Sequence, residues 1–145
     1  MSDETLLKDL TFRIHHTMLP VANLDRSIDF YTRLLGMKVM ARRTDETRNL
    51  KVGHVGYGER EMQPSIELHE RLGEGAGVAV KSGNGHIAIH VNDLYKLCAV
   101  LEKAGIEFMQ PPKRGQSGKN ITAWIRDPDG HALELAQPHS DPIVA

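Results

Sequence analysis

The chain is poor in cysteine, in charge of one sign and in long apolar runs, and each shortage excludes a class of protein. A lone Cys98 in 145 residues excludes an intrachain disulfide and suits a reducing compartment; it reads as a small apolar side chain on a helix face. Lysine plus arginine number 18 against 19 aspartates and glutamates, leaving a net charge of −1, and no basic run reaches five residues. Nucleic acid and anionic membrane surfaces are therefore not expected partners. No apolar stretch approaches the roughly 18 residues of a membrane span, and Met1-Ser2-Asp3-Glu4-Thr5 is acidic where a secretory leader is basic. A soluble, cytoplasmic protein is expected. The length fits a single domain, residues 1–145, or two fused halves, each too small to bury much core alone, which must share an interface or pair across a dimer.

What the chain does have is an internal duplication. His16 opens one copy, which passes Leu24 and Gly36 and closes on Ser65-Ile66-Glu67-Leu68. His86 opens the other, which passes Leu94 and Gly105 and closes on Ala132-Leu133-Glu134-Leu135. The leucine lies 8 residues beyond the histidine in both copies, the glycine 20 and 19, the glutamate 51 and 48. One histidine on its own is more often a core or surface residue than a ligand, but matched positions in two copies change that balance. They predict a two-histidine, two-glutamate metal site at a pseudo-twofold axis.

Asn23 to Leu35 repeats apolar residues at helical spacing through Leu24, Ile28, Tyr31 and Leu35, with Asn23 or Asp25 as N-cap and Gly36 past the end. Asn92 to Ala104 does the same and stops at Gly105. A strand-like run precedes each helix, Ile14 to Val21 and His86 to Val91. Three follow each: Lys38 to Arg42, Lys51 to Tyr57 and Ser65 to His69 in the first copy, then Glu107 to Met109, Ile121 to Arg126 and Ala132 to Ala136 in the second. Asp127-Pro128-Asp129-Gly130 is a turn, Gly73 to Gly77 a linker, and Pro111 to Gly118 reads as a mobile loop. The expected fold is α+β: tandem βαβββ modules, residues 13–76 and 80–137, forming a curved mixed sheet.

Strand alternation then asks what shares a face with each candidate ligand. Glu134 goes with Ala132 and Ala136, Glu67 with Ser65 and His69, and His86 with Ala88 and His90, while the intervening leucines and isoleucines point the other way under the helices. A carboxylate between alanines is costly to bury unless paired or bound to a cation. Two imidazoles and two carboxylates suit an octahedral Ni, Co, Mn, Fe or Zn ion with two open positions, unlike the closed, cysteine-rich sites of structural zinc. Such an ion could hold both oxygens of a hydroxycarbonyl while a glutamate shuttles a proton. His69 and His90 are pocket-lining candidates; His15, His54, His131 and His139 read as surface residues.

His16-Thr17-Met18-Leu19, Arg26-Ser27-Ile28-Asp29-Phe30-Tyr31, Leu35-Gly36-Met37, Gly56-Tyr57-Gly58, Ile66-Glu67-Leu68, Gly85-His86-Ile87-Ala88 and Asp127-Pro128-Asp129-Gly130 with Leu133-Glu134-Leu135 closely resemble the glyoxalase I, or lactoylglutathione lyase, family of the vicinal oxygen chelate superfamily. The resemblance covers about residues 14 to 137. It implies one divalent metal per site held by His16, Glu67, His86 and Glu134, nickel or cobalt favoured because the chain lacks the insertions of zinc-using forms, with zinc still eligible. It implies a homodimer whose site is completed across the interface, and isomerisation of the methylglyoxal–glutathione hemithioacetal to S-lactoylglutathione. Glu134 would be the base at C1 and Glu67 the second carboxylate in proton return. Pro20 stands where the family usually has an arginine that meets the glutathione carboxylate, and Arg71 where it usually has an asparagine. Two other readings stand beside it: a superfamily isomerase or epimerase with a non-glutathione substrate, and a non-catalytic small-molecule binding protein, which predicts loss of the metal ligands where all four are present.

Overall fold

The computed structural model describes residues 7–59, 62–78, 83–115 and 120–138. The first copy runs β1 (His16–Val21), α1 (Leu24–Asp29) with a π-helical turn over Phe30–Leu34, then β2 (Lys38–Asp45), β3 (Leu50–Gly56) and β4 (Ser65–Arg71). The second runs β5 (His86–His90), α2 (Leu94–Lys103), β6 (Phe108–Arg114), β7 (Ile121–Arg126) and β8 (Ala132–Gln137). Each copy closes its own four-stranded mixed sheet, in the orders β1-β4-β3-β2 and β5-β8-β7-β6. Among the described residues the only parallel pairs are β1 with β4 and β5 with β8, as a crossover through one helix and two antiparallel strands requires. The expected βαβββ order is present twice.

The helices start where side-chain oxygens can take the first free backbone N–H groups. Asn23, not Asp25, caps α1 by accepting from Arg26 N at 2.9 Å, and Asp93 caps α2 by accepting from Lys96 N at 3.0 Å. A second cap comes from the end of each copy's last strand. Glu70 Oε2 accepts from Leu24 N at 2.7 Å, and Gln137 Oε1 from Leu94 N at 2.9 Å. These residues stand three positions beyond Glu67 and Glu134, so each helix start is tied to the strand that carries a candidate ligand. The first helix is α-helical only to Asp29; its last turn widens before Gly36, at φ 70°, ends it. On the sheet side, a Cβ on Gly53 would meet Leu24 and Ile28 Cδ1 at 3.1 Å, so glycine there lets α1 lie close on β3.

The expected loop after residue 110 is corrected. Pro111-Pro112-Lys113-Arg114 is not loop but the end of β6, while residues 116–119 lie outside the described part. Proline is tolerated because β6 is an edge strand and its ladder skips from Gln110↔Trp124 to Lys113↔Thr122, so neither proline needs to donate.

One continuous core runs beneath both sheets, from Leu24, Tyr31 and Leu68 to Leu94, Leu101, Ile125 and Leu133. A polar clamp also fastens the two halves. Tyr31 Oη donates to Asp127 Oδ2 at 2.8 Å; Asp129 accepts from Ala22 N at 2.9 Å, from Arg26 and from the Ser27 hydroxyl. Burial first, then the Asp127 carboxylate, hold the Tyr31 phenol far above its ordinary pKa, so it stays a neutral donor. His131, expected at the surface, is only 8% exposed, with Nε2 at 2.8 Å from the Pro20 carbonyl. The Asp-Pro-Asp-Gly turn points its carboxylates into the other half, and His131 follows it inward.

Candidate metal centre

Residues opposite each other in a ladder share a face, so register decides what surrounds each glutamate. In the first sheet Glu67 lies between Met18 on β1 and His54 on β3, with His16 one step along opposite Ser65. In the second, Glu134 lies between Ala88 on β5 and Trp124 on β7, with His86 opposite Ala132. The duplicated strands thus bring His16 Nε2 to 3.1 Å from Glu67 Oε2 and His86 Nε2 to 3.2 Å from Glu134 Oε2. Their apolar neighbours Ile66, Leu68, Leu133 and Leu135 are buried on the opposite face, as alternation predicts.

The two pairs differ in their surroundings. The Glu67 side chain is 9% exposed and that of Glu134 26%. His69 hydrogen-bonds Glu67 Oε1, and His54 Nε2 stands 3.1 Å from Oε2. Burial alone would raise the Glu67 pKa, but the His69 hydrogen bond and the electrostatic attraction of the neighbouring imidazoles outweigh it and hold the carboxyl below its ordinary range. His15 Nδ1 meets His16 Nδ1 at 2.8 Å, leaving the His16 Nε2 side to the carboxylate. In the other half the Trp124 ring packs against His86, centroids 4.7 Å apart. His90 lies at the far end of β5 opposite Ala136, away from the His86–Glu134 pair. A cavity of about 340 Å³ at the seam is lined by Met18 and Pro20 of β1 and by His86 and Ala132 of the second sheet.

His54 is the residue that sequence reasoning missed. Expected at the surface, it is 1% exposed. The signal lay in β3, where Val52 and Val55 are buried on alternate faces and any polar residue between them must be enclosed. His139 lies outside the described residues. Among the described residues, no group of three or more His, Cys, Asp or Glu side chains is arranged to hold a metal. One chain gathers the four predicted ligands as two pairs.

A family model of the Glyoxalase/Bleomycin resistance protein/Dioxygenase superfamily matches residues 13–135. The chain belongs to this superfamily. Within it, the chain is 36% identical over 125 residues to a probable lactoylglutathione lyase of Vibrio cholerae, covering 86% of this chain and 90% of that one. It is 35% identical over 127 residues to the lactoylglutathione lyase of Escherichia coli O157:H7, covering 86% and 92%. Among solved structures, the trypanothione-dependent glyoxalase I of Leishmania major superposes with a TM-score of 0.75 at 35% identity, over 88% of this chain and 87% of that one. Among the described residues, no helix is long and apolar enough to cross a membrane. The superfamily fold accounts for the paired modules; the His–Glu pairs are what this chain offers to chemistry.

Proposed function

We propose that the protein isomerises the hemithioacetal of methylglyoxal and glutathione to S-lactoylglutathione, the lactoylglutathione lyase reaction of its relatives, in the cytoplasm and as a homodimer. The observation that carries the reading is the pairing of His16 with Glu67 and His86 with Glu134 on corresponding strands of the two sheets. Two imidazoles and two carboxylates with no thiolate fit a divalent cation that keeps open positions, nickel or cobalt before zinc. When bound, the metal supplies Lewis-acid polarisation of the substrate's two oxygens. Each chain offers half of this set at each end, so His16 and Glu67 of one protomer meet the matching His–Glu pair of a second copy.

In the isomerisation the C1 proton of the hemithioacetal leaves and a proton is delivered to C2, while the hydroxyl proton moves from the C1 oxygen to the C2 oxygen; C1 is oxidised and C2 reduced by the same electron pair, so no external oxidant or reductant is needed. Glu134 is the base at C1. It is the more open of the two carboxylates and has one imidazole beside it, so it can turn toward the substrate. Glu67 is enclosed by three histidines and remains chiefly a ligand. Trp124 and Ala88 flank Glu134 in the ladder and give it apolar neighbours on either side.

The test is an isomerase assay on chelator-stripped and reloaded protein. Activity should vanish on stripping and return with nickel or cobalt at least as well as with zinc. Full activity in protein verified as metal-free sinks the assignment. Turnover with another chelatable substrate but none with the glutathione hemithioacetal favours a different superfamily isomerase.

A further inference from the structure

The two halves of the candidate centre occupy equivalent positions, so a residue present in one and absent from the other is an internal comparison. The strand neighbour of the glutamate is His54 in the first half and Trp124 in the second. His54 is 1% exposed, and both of its nitrogens face polar groups: Nδ1 stands 2.9 Å from Ser65 Oγ and Nε2 3.1 Å from Glu67 Oε2. Nδ1 shares a hydrogen bond with the Ser65 hydroxyl, while Nε2 approaches Glu67 Oε2 as a close polar contact, outside hydrogen-bond geometry. The set Ser65–His54–Glu67 spans adjacent strands β3 and β4 and is buried, His54 in register with Glu67 and Ser65 two residues along, where polar contacts are strong. His69 holds the other oxygen of Glu67 from the same strand.

Resting on the metal reading above, we propose that His54 is a positioning residue for the metal centre, with Ser65 fixing its tautomer, so that Glu67 is held in one orientation before any ion arrives. Among the described residues the second half has no histidine at the equivalent place: Trp124 stands there and packs on the His86 ring. His54 acts through Glu67, and outer partners of metal-binding carboxylates set ligand orientation and affinity in this way.

The test is metal affinity by competition with a chromophoric chelator, on the full protein at fixed pH, using nickel alone. His54→Phe keeps an aromatic of similar size in the buried site and removes both polar contacts. Affinity should fall about 10- to 100-fold. His54→Gln, which can still donate toward Glu67, should recover part of the loss. Ser65→Ala should weaken binding less, and should add nothing in the His54→Phe background, because the two act as one chain. In turnover, kcat should fall with KM little changed. Unchanged nickel affinity in both Ser65→Ala and whichever His54 variant melts as the wild type does overturns the proposal while leaving the four-ligand reading intact. Wild-type protein that binds no nickel overturns both. Equal losses in His54→Phe and His54→Gln, or a further loss from Ser65→Ala in the Phe background, reduce His54 to packing and also overturn it.

Discussion

Tyr31→Phe isolates the clamp that sets one half against the other. The substitution removes a single oxygen and leaves the ring, so no cavity opens in the core. What is lost is a buried hydrogen bond of 2.8 Å from the phenol to Asp127 Oδ2. Bonds to charged acceptors contribute about 1.5–3 kcal/mol. Asp127 Oδ1 still accepts from Asp129 N and His131 N, both at 2.9 Å, so the turn stays formed and the carboxylate is left short of one donor rather than stranded. That places the loss near 2 kcal/mol, or about 4–8 °C in Tm for a chain of this size. Urea unfolding of metal-free protein, with an unchanged m-value, measures it. In an Asp127→Asn background the same change should cost less, since the acceptor has lost its charge. A Tyr31→Phe loss below about 0.5 kcal/mol would refute the idea that this bond fastens the halves.

Glu134→Gln should lower kcat by about 10²- to 10⁴-fold, the range for loss of a general base, plus any metal loss; Glu67→Gln should retain more activity per bound metal, and the reverse ranking would exchange their roles. Mixing inactive His16→Ala with inactive His86→Ala subunits should restore part of the activity through hybrid dimers. No recovery despite verified subunit exchange would favour a site within one chain. Pro20 lines the seam cavity without a charge, and Arg71 is exposed at the end of β4, so the glutathione hemithioacetal should be turned over with a raised KM. Pro20→Arg should lower that KM; a KM that is unmoved would place the tripeptide elsewhere.

The part of this architecture legible in the sequence is the part written at short range. Helices ended at Gly36 and Gly105 because each carries, just past the helical stripe, a residue at ease with positive φ, and strand faces followed from alternation around Glu67 and Glu134. The parts that were not legible depend on what lies across a ladder or across the seam. His54 looks like any strand histidine until the β3–β4 register sets it against Glu67 and Ser65, a pairing between residues 11 and 13 positions apart whose alignment no local pattern fixes. His131 follows an ordinary turn, yet that turn docks on β1 more than a hundred residues upstream, so its burial is a property of the other half. Pro111 and Pro112 argue for a loop by composition and are admitted to β6 only because it is an edge with a broken register. The same distinction applies to the candidate centre. Duplication reveals which residue types recur and on which face, since each copy repeats its own local pattern. Which copy meets which is decided by packing between halves, and there the asymmetry of His54 and Trp124 bears most directly on how the two glutamates divide their work.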